Sequence, residues 1–300
     1  MRLILILILG VVTTNAFGQG YIVLKDSQTL KYDKFKARKD NLLVDVAGKK
    51  EKQEIDINKV AGYYLTGEYI LYYLKPDLDS SYSIDYQFIE KELSGNINLY
   101  RKTVSTYSKY GGSSNTYYYI EKSDRFENAL TTNTIGQNKK RKIETLKSFV
   151  SDNPEILNSL GDDFKLNPEN LISTIRKYNL AAYENRRHLQ DTTVNTKLIL
   201  YRRNKGKVNE ELSVSINDNT LFIKPNDFLE IKISDHDITK ICIGGENPFC
   251  ELIEGSPHFK IYYELRVDSN SNYTLEKKTK KEADFYLKEI NYYKERADRK

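Results

Sequence analysis

Cys242 and Cys250 are the only cysteines in 300 residues, so the first chemistry to weigh is theirs. A redox pair is usually C-x-x-C, and a structural zinc site needs more ligands than two thiols. The spacing here is C-x7-C, inside Lys240-Ile-Cys-Ile-Gly-Gly-Glu-Asn-Pro-Phe-Cys-Glu-Leu-Ile253. Gly244-Gly245 and Asn247-Pro248 lie between the cysteines and let the chain reverse. In an oxidising compartment an even count reads first as a disulfide. Closing so small a loop stabilises by roughly 2–3 kcal/mol.

Other reactive types are scattered. His188, His236 and His258 are dispersed, and none stands at i, i+4 to another, so the helical zinc motif is missing. Nothing local supports a Ser/His/Asp triad. Asp77-Leu-Asp79-Ser-Ser81 starts like a calcium loop, and Ile84 suits its apolar eighth position. Tyr82 and Phe88, however, stand where glycine and a bidentate glutamate are needed, so a solvated loop is expected. Tyr110-Gly-Gly-Ser-Ser-Asn115 lacks the lysine of a phosphate loop and the Gly-x-Ser-x-Gly pattern of a nucleophile elbow. It reads as a hairpin loop. Lys139-Lys-Arg-Lys142 reads as a solvated helix end rather than a nucleic-acid patch. No catalytic, cofactor-binding or metal residue is assigned, and no cofactor is expected. Tyrosines at 69, 72 and 73 and the run Tyr117, Tyr118, Tyr119 form a candidate ligand surface, with ordinary sheet packing as the competing reading.

Whole-chain properties set the frame. There are 24 Tyr, 11 Phe and no Trp, and Tyr suits strands. The formal charge of +5 balances 47 basic against 42 acidic residues, short of the basic stripe of a nucleic-acid binder. The N-terminus has Arg2, an apolar run from Leu3 to Val12, then Thr13-Thr14-Asn15-Ala16-Phe17-Gly18-Gln19. This pattern predicts a signal peptide over 1–18, cleaved between Gly18 and Gln19. The run is too short for a membrane span, which takes about 20 apolar residues, and no later segment in the mature chain qualifies. No cysteine follows the run, so a bacterial lipid anchor there is not expected.

The elements that must position these residues follow from periodicity. Residues 20–127 read as short strands with turn residues every 8–12 positions: an antiparallel sheet, roll or barrel. In the second strand Tyr32, Lys34 and Lys36 are expected on one face, Asp33 and Phe35 on the other. Glu68–Leu74 reads as a strand, as do 96–107 and 115–122. The period then changes. Ile143, Leu146, Phe149 and Val150 share a helical face. Asn153-Pro154 and Asn167-Pro168 each read as an N-cap followed by proline, the second helix carrying Leu171, Ile175, Tyr178 and Ala182. Residues 188–195 are polar and read as a linker. Strands are expected at 197–203, 211–217, 228–233, 239–243, 259–267 and 273–277. Thr279 and Glu282 make a capping box for a terminal helix.

Three parts of the chain carry a resemblance. The stretch "QGYIVLKDSQTLKYDKFK", with Ser27 where a "DGxT" turn has glycine, resembles the start of uncharacterised exported proteins of Bacteroidetes-type bacteria. "LKSFVSDNPEIL" and "LISTIRKYN" are similar to theirs. From "TKLILYRR" through "SVSINDNTLFIKPNDFLEIKI" to Ile261-Tyr-Tyr-Glu264, the chain resembles a small β-sandwich domain of unknown function found in such proteins. The resemblance implies export and a sandwich, and transfers no catalytic residue. Asp191-Thr192-Thr193 resembles their short O-glycosylation sequon, making Thr192 a candidate modification site.

The expected architecture is α+β: signal peptide 1–18, N-terminal antiparallel β sheet or barrel 19–130, helical segment 131–187, linker 188–195, C-terminal β-sandwich 196–278 and terminal helix 279–300. The expected role is an exported, periplasmic or cell-surface, non-enzymatic protein that binds a protein or envelope component. The alternatives are a glycan or small-ligand binder using Tyr-rich strands and, further off, a hydrolase assembled across domains. Nucleic acid is not expected as a partner, and the sequence assigns no oligomeric state.

Overall fold

The computed structural model describes residues 15–78, 86–108, 111–132, 139–184, 195–203, 210–216, 219–235, 237–268 and 271–297. The chain is α+β and mostly β, with a large N-terminal antiparallel sheet, two later sheets and a C-terminal helix. It divides into two compact units: Met1–Thr66 with Leu71–Phe88, and Gly67–Ile70 with Ile89–Lys300.

The first unit contains β1 (Asn15–Leu24), β2 (Thr29–Ala37), β3 (Asn41–Val46), β4 (Lys52–Asp56), β5 (Val60–Leu65) and β6 (Leu71–Pro76). Their order is β6-β5-β1-β2-β3-β4, each pair antiparallel. Alternating apolar residues fill one face: Ile22, Phe35, Leu42, Val44, Ile55 and Val60 are buried together with Tyr32. Simple alternation fails in β2. Tyr32 and Phe35 both enter the core, because the register shifts between Tyr32 and Lys34, a β-bulge that inserts one residue and turns the following side chains over. At Gly20 a Cβ would lie 2.3 Å from the Tyr64 carbonyl oxygen and 2.6 Å from the Tyr32 hydroxyl. Only glycine lets these strands close over the buried Tyr32 ring.

The second unit begins with a meander: the end of β7 (Tyr86–Leu93), β8 (Asn98–Ser108), β9 (Gly111–Lys122) and β10 (Arg125–Thr131). Gly111 to Asn115 thus belong to a strand; Tyr110 lies outside the described residues. Three helices follow, α1 (Lys139–Phe149), α2 (Pro154–Ser159) and α3 (Pro168–Glu184). Their apolar stripes join Leu99, Ile120 and Leu130 of the meander in one core with Leu146, Phe149, Leu171, Ile175 and Tyr178. Both expected caps form: Asn153 accepts from the Ile156 amide at 3.1 Å, and Asn167 from the Asn170 amide at 2.8 Å.

Eight strands then build a sandwich. One sheet has the order β14 (Asp227–Ile233), β11 (Thr196–Arg202), β17 (Ile261–Val267), β18 (Tyr273–Lys278). The other runs β13 (Asn219–Ile223), β12 (Leu212–Ile216), β15 (Ile238–Ile243), β16 (Phe249–Glu254). Leu198, Leu200, Ile231 and Leu265 of the first meet Val214, Ile241, Ile243 and Ile253 of the second. The pairing of β11 with β17 is parallel. Helix α4 (Lys280–Ala297) places Ala283, Tyr286 and Ile290 against Ile199, Tyr201 and Tyr262 on the outer side of β11 and β17. Its capping box is formed: the Thr279 amide donates to Glu282 at 3.0 Å, and the Glu282 amide to the Thr279 hydroxyl at 3.2 Å.

Candidate functional site

Among the described residues of the second unit, a set of ionisable groups gathers where the edge strands β16 and β18 meet β7, β8 and α3. Lys91 on β7 reaches Glu254 on β16 at 2.6 Å, and the Ser94 hydroxyl donates to the same carboxylate at 2.9 Å. Arg176 on α3 donates to Glu251 on β16 at 2.7 Å. Arg101 on β8 pairs with Glu90 at 3.2 Å and Glu92 at 3.3 Å. Lys277 on β18 lies within the field of Glu90, Glu254 and Glu92.

Burial and pairing pull these groups in different directions. Burial raises the Glu92 carboxyl against the opposing pull of Arg101. It also raises Glu251, again outweighing Arg176. Burial works the same way on Glu254, but Lys91 and Ser94 together hold that carboxyl below its ordinary value. The Lys277 ammonium is lowered by burial, partly offset by Glu90 and Glu254. Shifts of this kind occur in catalytic clefts and in structural networks alike. Here the four carboxylates and Lys91, Arg101 and Arg176 are bonded to one another. The cluster therefore acts as a cross-brace that covers the open edge of the sandwich.

A different place has free polar groups. Between α2 and α3, with the connection 160–167, lies a cavity of about 510 Å³. This volume falls in the range of small-molecule sites. Asn158, Asp162, Asp163, Ser173, Thr174 and Lys177 line it. Among the described residues, none of these side chains has a hydrogen-bond or ion-pair partner. Ile156 and Phe164 supply apolar surface, Phe164 packing half-buried on the helical core. The cavity exists because α2 is a single short helix. Leu160 and Leu166 after it are drawn into the core, Phe164 packs half-buried beside them, and Gly161, Asp162, Asp163 and Lys165 are left exposed. Donors, acceptors and the Phe164 side chain thus line one depression, with Asn158, Asp162, Asp163 and Lys177 exposed.

The tyrosines singled out by sequence are divided between the two units and differ in burial. Tyr72 and Tyr73 belong to β6 of the first unit, where Tyr72 stacks on Tyr63 at 5.1 Å. Tyr69 belongs to the second unit and precedes the strand it was expected to join. It has φ 56° and stacks on Phe259 at 5.7 Å and on Tyr262 at 6.4 Å. Tyr117 is half-buried, Tyr118 is buried, and Tyr119 is fully buried, stacked on Phe126 at 5.3 Å. Of the basic run, Lys142 is an anchor, donating to the Asn128 carbonyl at 2.6 Å.

Cys242 and Cys250 stand opposite each other on β15 and β16, sulfur to sulfur at 2.10 Å, a disulfide distance. Gly18 and Gln19 lie in β1, at the register shift between Phe17 and Gly20. Residues 1–14 of the expected signal peptide, the linker apart from Asn195, Thr192, His188, His236 and the calcium-like residues from Asp79 through Ile84 lie outside the described residues. Among the described residues, no group of three or more His, Cys, Asp or Glu could hold a metal ion, and no helix is long and apolar enough to cross a membrane.

The sequence reading missed both the cross-brace and the cavity. β7 and β16, which carry five of the brace residues, were not anticipated, nor were β5 and β10. In β7 the alternation was present, with Gln87, Ile89, Lys91 and Leu93 buried, but a buried lysine and glutamine disguise it. Comparison with protein-family models, curated proteins and solved structures finds no match.

Proposed function

We propose that this is an exported, non-enzymatic binding protein of the cell envelope, which takes a hydroxyl-rich ligand such as a glycan end in the cavity between α2 and α3. One observation carries the reading: that cavity is lined by polar side chains without internal partners, beside the ring of Phe164. A sugar offers the matching chemistry, with hydroxyls that both donate and accept and a C–H face that packs on an aromatic ring. The acidic pair Asp162 and Asp163 is countered by Lys165 and Lys177, which suits a neutral ligand. The ligand site thus moves from the Tyr-rich strands to the helical segment. The internal pairing of the cross-brace supports a binding role over a catalytic one.

Export rests on the N-terminal residues and the Bacteroidetes-type resemblance, and a disulfide is at home in that compartment. The test is a nuclear magnetic resonance titration of the mature chain with a panel of soluble mono- and disaccharides. Amide shifts confined to 156–177, lost in Phe164→Ala and Ser173→Arg, are expected. No shift with any sugar would sink the reading.

A further inference from the structure

The outward face of α4 is unusual for a helix at a protein surface. Phe285 is 67 % exposed and Tyr292 57 %. They are seven residues apart, two turns, so they share the side opposite Ala283, Tyr286 and Ile290, which are packed on the sheet. Lys281, Lys288, Glu289 and Glu295 lie on the same stripe and are exposed. Among the described residues, none of these four has an ion-pair partner, whereas Lys280 and Lys294 elsewhere on the helix pair with Asp284 and Asp227.

The middle of the stripe, from Phe285 to Tyr292, is complementary to itself. Lay a second copy of α4 antiparallel over the first, with the two-fold axis between Lys288 and Glu289. Phe285 then faces Tyr292 of the other copy, and the reverse. Lys288 faces Glu289 of the other copy, also twice. Phe285 and Tyr292 thus each meet an aromatic, Lys288 and Glu289 each meet the opposite charge, and Tyr293 lies outside these pairs. A two-fold interface demands this, because the same patch must serve both partners. A parallel pairing would place Lys288 against Lys288 and Glu289 against Glu289.

We infer that α4 is a homodimer interface, packing antiparallel against α4 of a second copy around the Lys288–Glu289 midpoint. A single helix pair buries less than the roughly 1,200 Å² at which stable interfaces begin, so the dimer is reversible.

Sedimentation equilibrium of the mature chain over a concentration series tests this. A monomer–dimer equilibrium is expected. Phe285→Asp abolishes it while leaving the thermal unfolding curve unchanged, since the side chain is exposed. Lys288→Glu and Glu289→Lys each place two like-charge pairs in the interface and raise the dissociation constant at least about tenfold, about 1.4 kcal/mol. The double variant, Lys288→Glu with Glu289→Lys, restores it. A chain that stays monomeric throughout overturns the inference. So does a dimer that tolerates Phe285→Asp, or one in which the double variant is no better than the single ones.

Discussion

Asn179 on α3 and Ile97 between β7 and β8 exchange two hydrogen bonds. The Ile97 amide donates to Asn179 Oδ1 at 2.8 Å, and Asn179 Nδ2 donates to the Ile97 carbonyl at 2.7 Å. A side-chain amide thus does for this turn what a neighbouring strand would do. Asn179 comes so close that a Cβ on Gly95 would lie 2.3 Å from its Cγ. Asn179→Leu fills the space but leaves the buried amide and carbonyl of Ile97 unpaired. Each such group costs about 1–3 kcal/mol. The expected outcome is a lower urea midpoint with an unchanged slope, and Gly95→Ala should lower it too.

Glu264 on β17 is 1 % exposed and accepts from Arg266 at 3.0 Å and from Arg203. Burial works to raise its carboxyl, but Arg266 and Arg203 hold it below the ordinary range. Its contribution is therefore present above the unfolded value, about 4.3, and is lost as pH falls through the folded one. Glu264→Leu leaves the Arg203 charge uncompensated in a buried place and should cost about 3–5 kcal/mol at neutral pH. Thermal melts against pH check both, since the variant should lose less stability than the parent on acidification.

Glu92 should show the opposite sign. Burial raises its carboxyl above the unfolded value. Between those two values the fold favours the protonated form, so stability rises as pH falls through the folded pKa. Glu92→Gln should be tolerated at neutral pH and should remove that rise. A variant that unfolds at neutral pH would show that the Arg101 pair, and not burial, dominates.

The Cys242–Cys250 link closes a loop of nine residues, counting both ends. Replacing both cysteines with serine should lower stability by about 2–3 kcal/mol. Reductant should destabilise the parent and leave the double variant unaffected. Free thiols in exported material, measured by mass spectrometry without reductant, would place the chain in a reducing compartment instead.

Cleavage between Gly18 and Gln19 should leave the first unit intact. Gly20 to Val23 pair with both β2 and β5, whereas Asn15 to Phe17 pair with β2 alone, beyond the register shift. A chain beginning at Gln19 should melt within a few degrees of the longer one. N-terminal sequencing of exported material should read Gln19-Gly20-Tyr21.

Three helices were legible because each carries its own punctuation: Asn153-Pro154, Asn167-Pro168, and Thr279 with Glu282 are local signals that need no tertiary partner, whereas α1 showed only in the period of Ile143, Leu146, Phe149 and Val150. The cysteine pairing was legible for the same reason. The strands of the cross-brace were not. Lys91, Glu251 and Glu254 look like solvent-facing charge until Arg176 and one another are placed beside them, and those partners lie far away in sequence. Tyr32 and Phe35 were assigned opposite faces because a bulge leaves no mark in composition. The cavity was hidden too, since its residues are ordinary loop and helix types whose meaning lies in having no partner.

The parallel pairing of β11 with β17 has a temporal consequence. Leu198 to Arg202 lie beside Ile261 to Leu265, so one flank of this strand stays open until nearly the whole sandwich has been synthesised. Contacts so far apart close late and slowly. A nascent chain of this design cannot complete its last core on the ribosome before the C-terminal strands emerge. The cores of residues 22–88 and 93–182 need nothing beyond themselves, so the sandwich is the part of the chain whose folding waits for the C-terminal strands.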